Sequence, residues 1–364
     1  MYRMPPFNGT MRRVIVISSL LVTLVSAFGS SQSDYVVNGW SLKVTLVPEK
    51  SEIMVGEPLF LAYRVENLSN TNLGIIVGGD YRNRFGRPER FTVAIRNAGG
   101  QSLPVPDPGP SFGGLEGPQP LPAHGKFEAT LFLSDWGVIT APGVYSISVK
   151  RTLNLIPEGS KWNDGASTYD ISTSVDCSLK VVPADHQRIG ELIDRLGKDL
   201  LAGKRGSMQR LCAISDERTI PYFRQAAESR DYELKIEALA ALGKFGSEEA
   251  IKVLEKGLAT TWQDIANCKN EHQAESMAEN IRTAAAQALQ HSPSEKAHQV
   301  LIAHLHDSSP QIRLTAVHLL GGMKTEEAAE RLRTMTNDSY DLVRQEAARY
   351  LQEMSSANPT TPSK

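Results

Sequence analysis

QIRLTAVHLLGGMKTEEAAERL, residues 311–332, reads as a short helix, a Gly-Gly turn and a second helix, and ELKIEALAALGKFGSEEAIKVL, residues 233–254, has nearly the same pattern. NIRTAAAQAL (280–289) and LVRQEAARYL (342–351) complete a set of four first helices, with ELKIEALAAL as the loosest member. Each has a base, Lys235, Arg282, Arg313 or Arg344, and three residues later an alanine, Ala238, Ala285, Ala316 or Ala347. Those alanines are spaced by 47, 31 and 31 residues. After each of the first three, Ala250, Ala297 and Ala328 follow at 12 residues, and Leu254, Leu301 and Leu332 four later. A lone helical pair cannot bury its apolar stripe, so a unit recurring at a fixed period predicts helices that stack on their neighbours.

The alanines are expected to let helices approach and the leucines to fill the seam. Asp307 and Asp338, with Ser308 and Ser339 beside them, are placed to cap first helices. The bases are expected to reach carbonyls or the preceding aspartate between repeats, which makes Arg313 and Arg344 structural. RLCAISDERTIPYF (210–223) is a shorter, weaker first unit, giving roughly five. The pattern resembles short HEAT-like repeats, the variety also found in phycobilisome lyases, and the resemblance implies an α-solenoid over 186–354. The 47-residue interval holds 16 residues beyond the period, near TTWQDIANCKNEHQAES (260–276). Insertions in a solenoid emerge on one face, so this segment, with Trp262 and His272, is the first candidate for partner contact.

Before residue 186 the period changes to two. WSLKVTLVP puts Trp40, Leu42, Val44 and Leu46 on one face, and PLFLAYRVEN does so with Leu59, Leu61, Tyr63 and Val65. FTVAIRN (91–97), FEATLFL (127–133), VYSISVKRTL (144–153) and SVDCSLKVV (174–182) follow. Short alternating segments bounded by Gly, Pro and Asn predict half-buried strands in two packed sheets, a β-sandwich over residues 36–185. VGEPLFLAYRVENLSN and APGVYSISV resemble strands of bacterial immunoglobulin-like modules. The Cys…Trp…Cys core of antibody-type domains is missing. Two insertions, 103–125 and 155–170, are rich in turn-forming or polar residues, and the first is expected to lack regular structure. Tyr81, Phe85, Phe112 and Trp162 are loop aromatics that either form a ligand or partner site or pack back onto the sheet.

The first residues read as a leader. Arg3, Arg12 and Arg13 precede the apolar run VIVISSLLVTLVSAF and the small residues Val25-Ser26-Ala27, the layout of a secretory signal over residues 1–32. The run is too short and too rich in hydroxyls for a membrane span. Export to a periplasmic or extracellular space is therefore expected, with no membrane span after the leader is removed. Net charge is −2, and −5 without the leader; with no basic cluster in the remainder, nucleic acid is a poor partner.

Cys177, Cys212 and Cys268 are too few for a disulfide scaffold and too scattered for zinc. Cys177 is in phase with Val175, Leu179 and Val181 and is expected in the core, leaving Cys212 and Cys268 as the pair that could bridge. Gly109-Pro110-Ser111-Phe112-Gly113 fits G-x-S-x-G, but no helix pattern follows the serine, as a nucleophile elbow requires. His291, His298, His304, His306 and His318 lack the H-E-x-x-H spacing of a metalloprotease. No catalytic residue, cofactor or metal is assigned. The sequence predicts a multidomain chain, all-β then all-α, with a disordered tail at 355–364. Its expected function is that of a non-enzymatic exported scaffold binding a protein partner, the alternative being a carbohydrate- or matrix-binding sandwich on a helical spacer.

Overall fold

The computed structural model describes residues 31–79, 87–109, 113–160, 168–204, 206–265 and 268–357. The chain divides into two compact units between Asp185 and His186.

In the first unit, strands β1 (Ser31–Val37), β2 (Trp40–Pro48), β4 (Phe60–Asn67) and β8 (Lys126–Phe132) form one sheet in the order β1-β2-β4-β8. Strands β3 (Glu52–Met54), β5 (Leu73–Gly78), β7 (Glu116–Leu121), β9 (Gly143–Pro157) and β10 (Tyr169–Val182) form the second in the order β3-β10-β9-β5-β7, and β6 (Phe91–Asn97) also pairs with β9. Inward residues of both sheets meet in one core: Leu42, Val44 and Leu46 of β2, Leu61, Tyr63 and Val65 of β4, Ile147, Val149 and Leu153 of β9, and Val175, Cys177 and Leu179 of β10. A one-residue slip of β2 would turn Lys43 and Thr45 inward, so burial fixes the register. A polar link between the sheets runs from the Tyr63 hydroxyl to Thr173 Oγ1 at 2.6 Å, and Thr173 in turn donates to the Arg151 carbonyl.

Four strands escape a search for alternation. β5 is buried on both faces and reads as a continuous apolar run. β1 begins at Ser31, inside the stretch assigned to the leader. It lays side chains against the second sheet: the Tyr35 hydroxyl donates to the Ser174 carbonyl at 2.8 Å and accepts from the Ser174 amide, and Ser31 bonds the Asp176 backbone in the same way. β3 is three residues long and parallel to β10.

β7 corrects the expectation that 103–125 lacks regular structure. The Gly79 amide donates to the Leu115 carbonyl, and in that register the odd residues of β7 face β5 while Pro118 and Pro120 face away. Proline is tolerated there because no amide is needed on the outer side of an edge strand.

The second unit contains helices α1 (His186–Leu201), α2 (Ser207–Ala213), α3 (Ile220–Ala227), α4 (Tyr232–Leu242), α5 (Glu248–Leu258), α6 (Glu271–His291), α7 (Glu295–Ala303), α8 (Pro310–Met323), α9 (Glu326–Met335) and α10 (Asp341–Ala357). The first helices α4, α6, α8 and α10 pack successively on one another, and α5 packs on α3 and α7. Ala238, Ala285, Ala316 and Ala347 are buried, as are Ala250, Ala297, Ala328, Leu254, Leu301 and Leu332.

The Gly-Gly pair is not a turn. Helix α8 runs through Gly321 and Gly322 to Met323, and the chain reverses at Lys324, with φ of 53°. Gly321 is a contact residue instead: a Cβ there would lie 2.3 Å from the Tyr350 ring of α10. Gly243, closing α4, has the same use against the Ala288 backbone at 2.8 Å.

Candidate binding surfaces

The repeat bases form a ladder. Arg313 forks onto Asp338 through Nε at 2.8 Å and Nη2 at 2.7 Å, while its Nη1 donates to the carbonyls of Asp307 and Ser308. One repeat earlier, Arg282 donates to Asp307 at 2.6 Å and to the Leu258 carbonyl. One repeat later, Arg344 binds the carbonyls of Asp338 and Ser339 but takes its own Asp341 as carboxylate. The arginines thus reach carbonyls as expected, but the carboxylate of Arg282 and Arg313 belongs to the following repeat rather than the preceding one.

Asp307 and Asp338 do not cap their helices either. Each accepts an amide two residues on, from Ser309 and Tyr340, and Ser309 caps α8 by accepting from Ile312. Burial works against the charge on Asp307, yet the Ser309 amide, His304 and Arg282 together hold its carboxyl below the usual range. The Arg313 bond lowers Asp338. These groups are committed to joining repeats.

The break in the period lies elsewhere on the unit. Ala285 comes 14 residues into α6, whereas Ala316 comes 6 into α8, so α6 is extended by about two turns, roughly 12 Å. Ahead of it a 3-10 turn, Trp262–Asp264, is fixed by a reciprocal capping box in which Thr261 and Asp264 satisfy each other's backbone. Trp262 on that turn is 42% exposed. His272 on the first turn of α6 has a side chain 95% exposed, 3.8 Å from Glu275. Asn270 caps α6 by accepting from the Gln273 amide.

The other two predicted contact residues, Tyr81 and Trp162, lie outside the described residues, as do Phe85, Ser111 and Phe112. Cys212 and Cys268 are free thiols, not a disulfide, and Cys177 is buried in the β core. Burial pushes Cys212 up to about 11, with Lys244 opposing. Lys244 is itself half-buried, donating to the carbonyls of Cys212 and Ile214 at the end of α2 and lying over the rings of Phe245 and Phe223. Three of these histidines have local uses: His304 bonds Asp307, His318 bonds the Tyr350 hydroxyl, and His291 bonds the Gln287 carbonyl.

A cleft in the β unit has no counterpart in the sequence reading. β9 is long enough for β6 to pair with its first half and β5 with its last residues, all on one edge. Past Ile75 the two partners diverge. Arg151 donates to the Ile76 carbonyl and Arg90 to the Gly78 carbonyl and to Asn154, which fills the split with guanidinium groups. Arg151 lies between the rings of Phe91 and Phe127, 4.8 and 4.9 Å from their centroids. The cleft of about 400 Å³ is bordered by these groups, Gln119, and Ala129 and Thr130 of β8.

A family model described as HEAT repeats matches residues 191–267 and 271–352, and the C-terminal region carries HEAT repeats. No curated protein matches the chain. Solved structures similar to it include human deoxyhypusine hydroxylase in complex with glycerol, 16% identical over 49% of this chain and 92% of that one, with a TM-score of 0.21. A designed armadillo repeat protein is 18% identical over 47% and 94%, at a TM-score of 0.20. The native conformation of E. coli alpha-2-macroglobulin is 11% identical over 89% of this chain and 26% of that one, at 0.19.

Proposed function

We propose that this chain is a non-catalytic, exported scaffold: an immunoglobulin-like β-sandwich followed by a HEAT solenoid that binds a protein partner at the segment where the repeat period breaks. The observation that carries the reading is Trp262, 42% exposed on a turn held rigid by its capping box, beside the extended α6. An exposed aromatic on a pre-ordered backbone costs little entropy to bind, and tryptophan is enriched among residues that dominate protein interfaces. The repeat arginines and aspartates are already used in joining repeats, which favours the insertion over the repeat ladder as a place of recognition. The leader-like N-terminus supports export.

The test is affinity capture from the exported fraction with the full chain, Trp262→Ala and Trp262→Ala/His272→Ala as baits, quantified by mass spectrometry. A partner enriched by the full chain and depleted with both variants is expected. Equal recovery of every partner by all three baits overturns the placement of the contact.

A further inference from the structure

We propose that Lys235 is an unfilled rung of the repeat ladder, and that an acidic side chain of the protein partner fills it, with an adjoining apolar residue meeting Trp262. This rests on the reading that the partner binds where the period breaks, and it names the chemistry of what binds there.

Lys235 stands three residues before Ala238, the place that Arg282, Arg313 and Arg344 take before their own alanines. Arg282 and Arg313 each close a rung with an aspartate 25 residues on, Asp307 and Asp338. The residue 25 on from Lys235 is Thr260, and counting the 16 inserted residues it is Ser276, inside α6. Neither carries a charge. The insertion thus removes the carboxylate and keeps its base. Among the described residues, the half-buried Lys235 has no hydrogen-bond or ion-pair partner for its ammonium.

The amine is turned towards the insertion. Lys235 and Lys256 both act on the charge of Asp264, the residue that closes the turn carrying Trp262. Asp264 does not complete the rung, because it is committed to its own turn, accepting from the Thr261 amide and hydroxyl at 2.8 Å. Lys256 is held by Glu228 at 3.0 Å. The acids of α4 lie elsewhere: Glu233 and Glu237 are two residues either side of Lys235, about 160° round the helix from it. Glu237 accordingly acts on Cys212 of the preceding unit.

A cation without a counter-ion, on the side of α4 that meets an exposed tryptophan turn, selects a carboxylate next to an apolar group. The equivalent bases already show that this position takes a carboxylate. A hydrogen bond to a charged group contributes more than a neutral one, so an acidic segment gains at Lys235 what an amide or basic one does not. The ammonium is a compact point charge on a flexible stem, which suits aspartate and glutamate alike.

The probe is a fluorescein-labelled peptide in which aspartate alternates with leucine, read by fluorescence anisotropy against the full chain. Saturable binding is expected, and its counterpart with asparagine for aspartate, which needs no protein variant, should bind about tenfold or more weaker. Lys235→Gln and Trp262→Ala should each weaken the acidic peptide to a similar degree, and Lys235→Arg should keep it. Lys296→Gln should bind as the full chain does, since that lysine already pairs with Glu248. The proposal is overturned by no saturable binding, by equal affinity for the aspartate and asparagine peptides, or by equal losses from Lys235→Gln and Lys296→Gln. Loss with Lys235→Gln but not with Trp262→Ala also overturns it, because the cation and the tryptophan would then serve different sites. Loss with Trp262→Ala but not with Lys235→Gln removes the acidic occupant and leaves the contact at the insertion standing, which separates this failure from that of the underlying reading.

Discussion

Arg313 and Arg344 occupy the same place in successive repeats, and comparing their removal isolates the energy of one rung. Both donate through Nη1 to two carbonyls of the preceding loop. They differ in the carboxylate: Arg313 and Asp338 have side chains 10% and 7% exposed, whereas Arg344 and Asp341 are 39% and 69% exposed. Arg313→Ala strands a buried carboxylate with the Tyr340 amide as its remaining bond, and removing one partner of a buried pair costs about 3–5 kcal/mol. Arg344→Ala loses an exposed pair and two carbonyl contacts, about 1–2 kcal/mol. For a unit of this size each kcal/mol moves the midpoint by about 2–4 °C, so Arg313→Ala should melt roughly 6–20 °C lower and Arg344→Ala only about 2–8 °C lower.

The assay is urea and thermal unfolding of the full chain followed by far-UV circular dichroism, which reports the helical unit. Asp338 supplies a second handle. Its folded value is depressed by Arg313, so its contribution is fully present above the unfolded value of about 4 and is lost as pH falls through the lower folded one. The gap between wild type and Arg313→Ala should therefore narrow below about pH 4. Equal destabilisation by the two variants at neutral pH, or a gap unchanged in acid, refutes the reasoning.

Two further outcomes concern the same unit. Gly321→Ala should destabilise by about 1–3 kcal/mol through overpacking, because the new methyl meets the Tyr350 ring; pairing it with Tyr350→Ala should return part of the loss in urea midpoints, and no recovery refutes the contact. Lys244 is drawn by burial to about 8. Between that value and the ordinary 10.5 the unfolded chain holds a proton that the folded chain does not, so stability should rise with pH by up to about 3 kcal/mol. Lys244→Met should lack that rise between pH 7 and 10, and equal slopes in the two proteins would remove the buried amine from the account.

Local chemistry was legible wherever one residue type performs one task at a fixed interval. The alanines and leucines of the repeats sit in the seam because helical period and repeat period together leave them nowhere else to go. Leu42, Val44 and Leu46 face the β core for the analogous reason at period two. The break before α6, and with it Trp262 and His272 as candidates, also came from spacing alone. Residues whose meaning depends on a partner far away in sequence were not legible. Gly321-Gly322 looks like a turn until Tyr350, from the next repeat, is seen to need the space. Pro118 and Pro120 look like loop residues until their register with β5 shows that their missing amides face outward. Arg313 could bond an aspartate on either side, and only the stacking direction selects Asp338. The cleft edged by Arg90, Arg151 and β8 gathers residues from five strands, so no window of sequence contains it. Periodicity decided which faces are buried; pairing and stacking decided what each buried or open face meets, because those contacts join residues whose separation along the chain carries no signal.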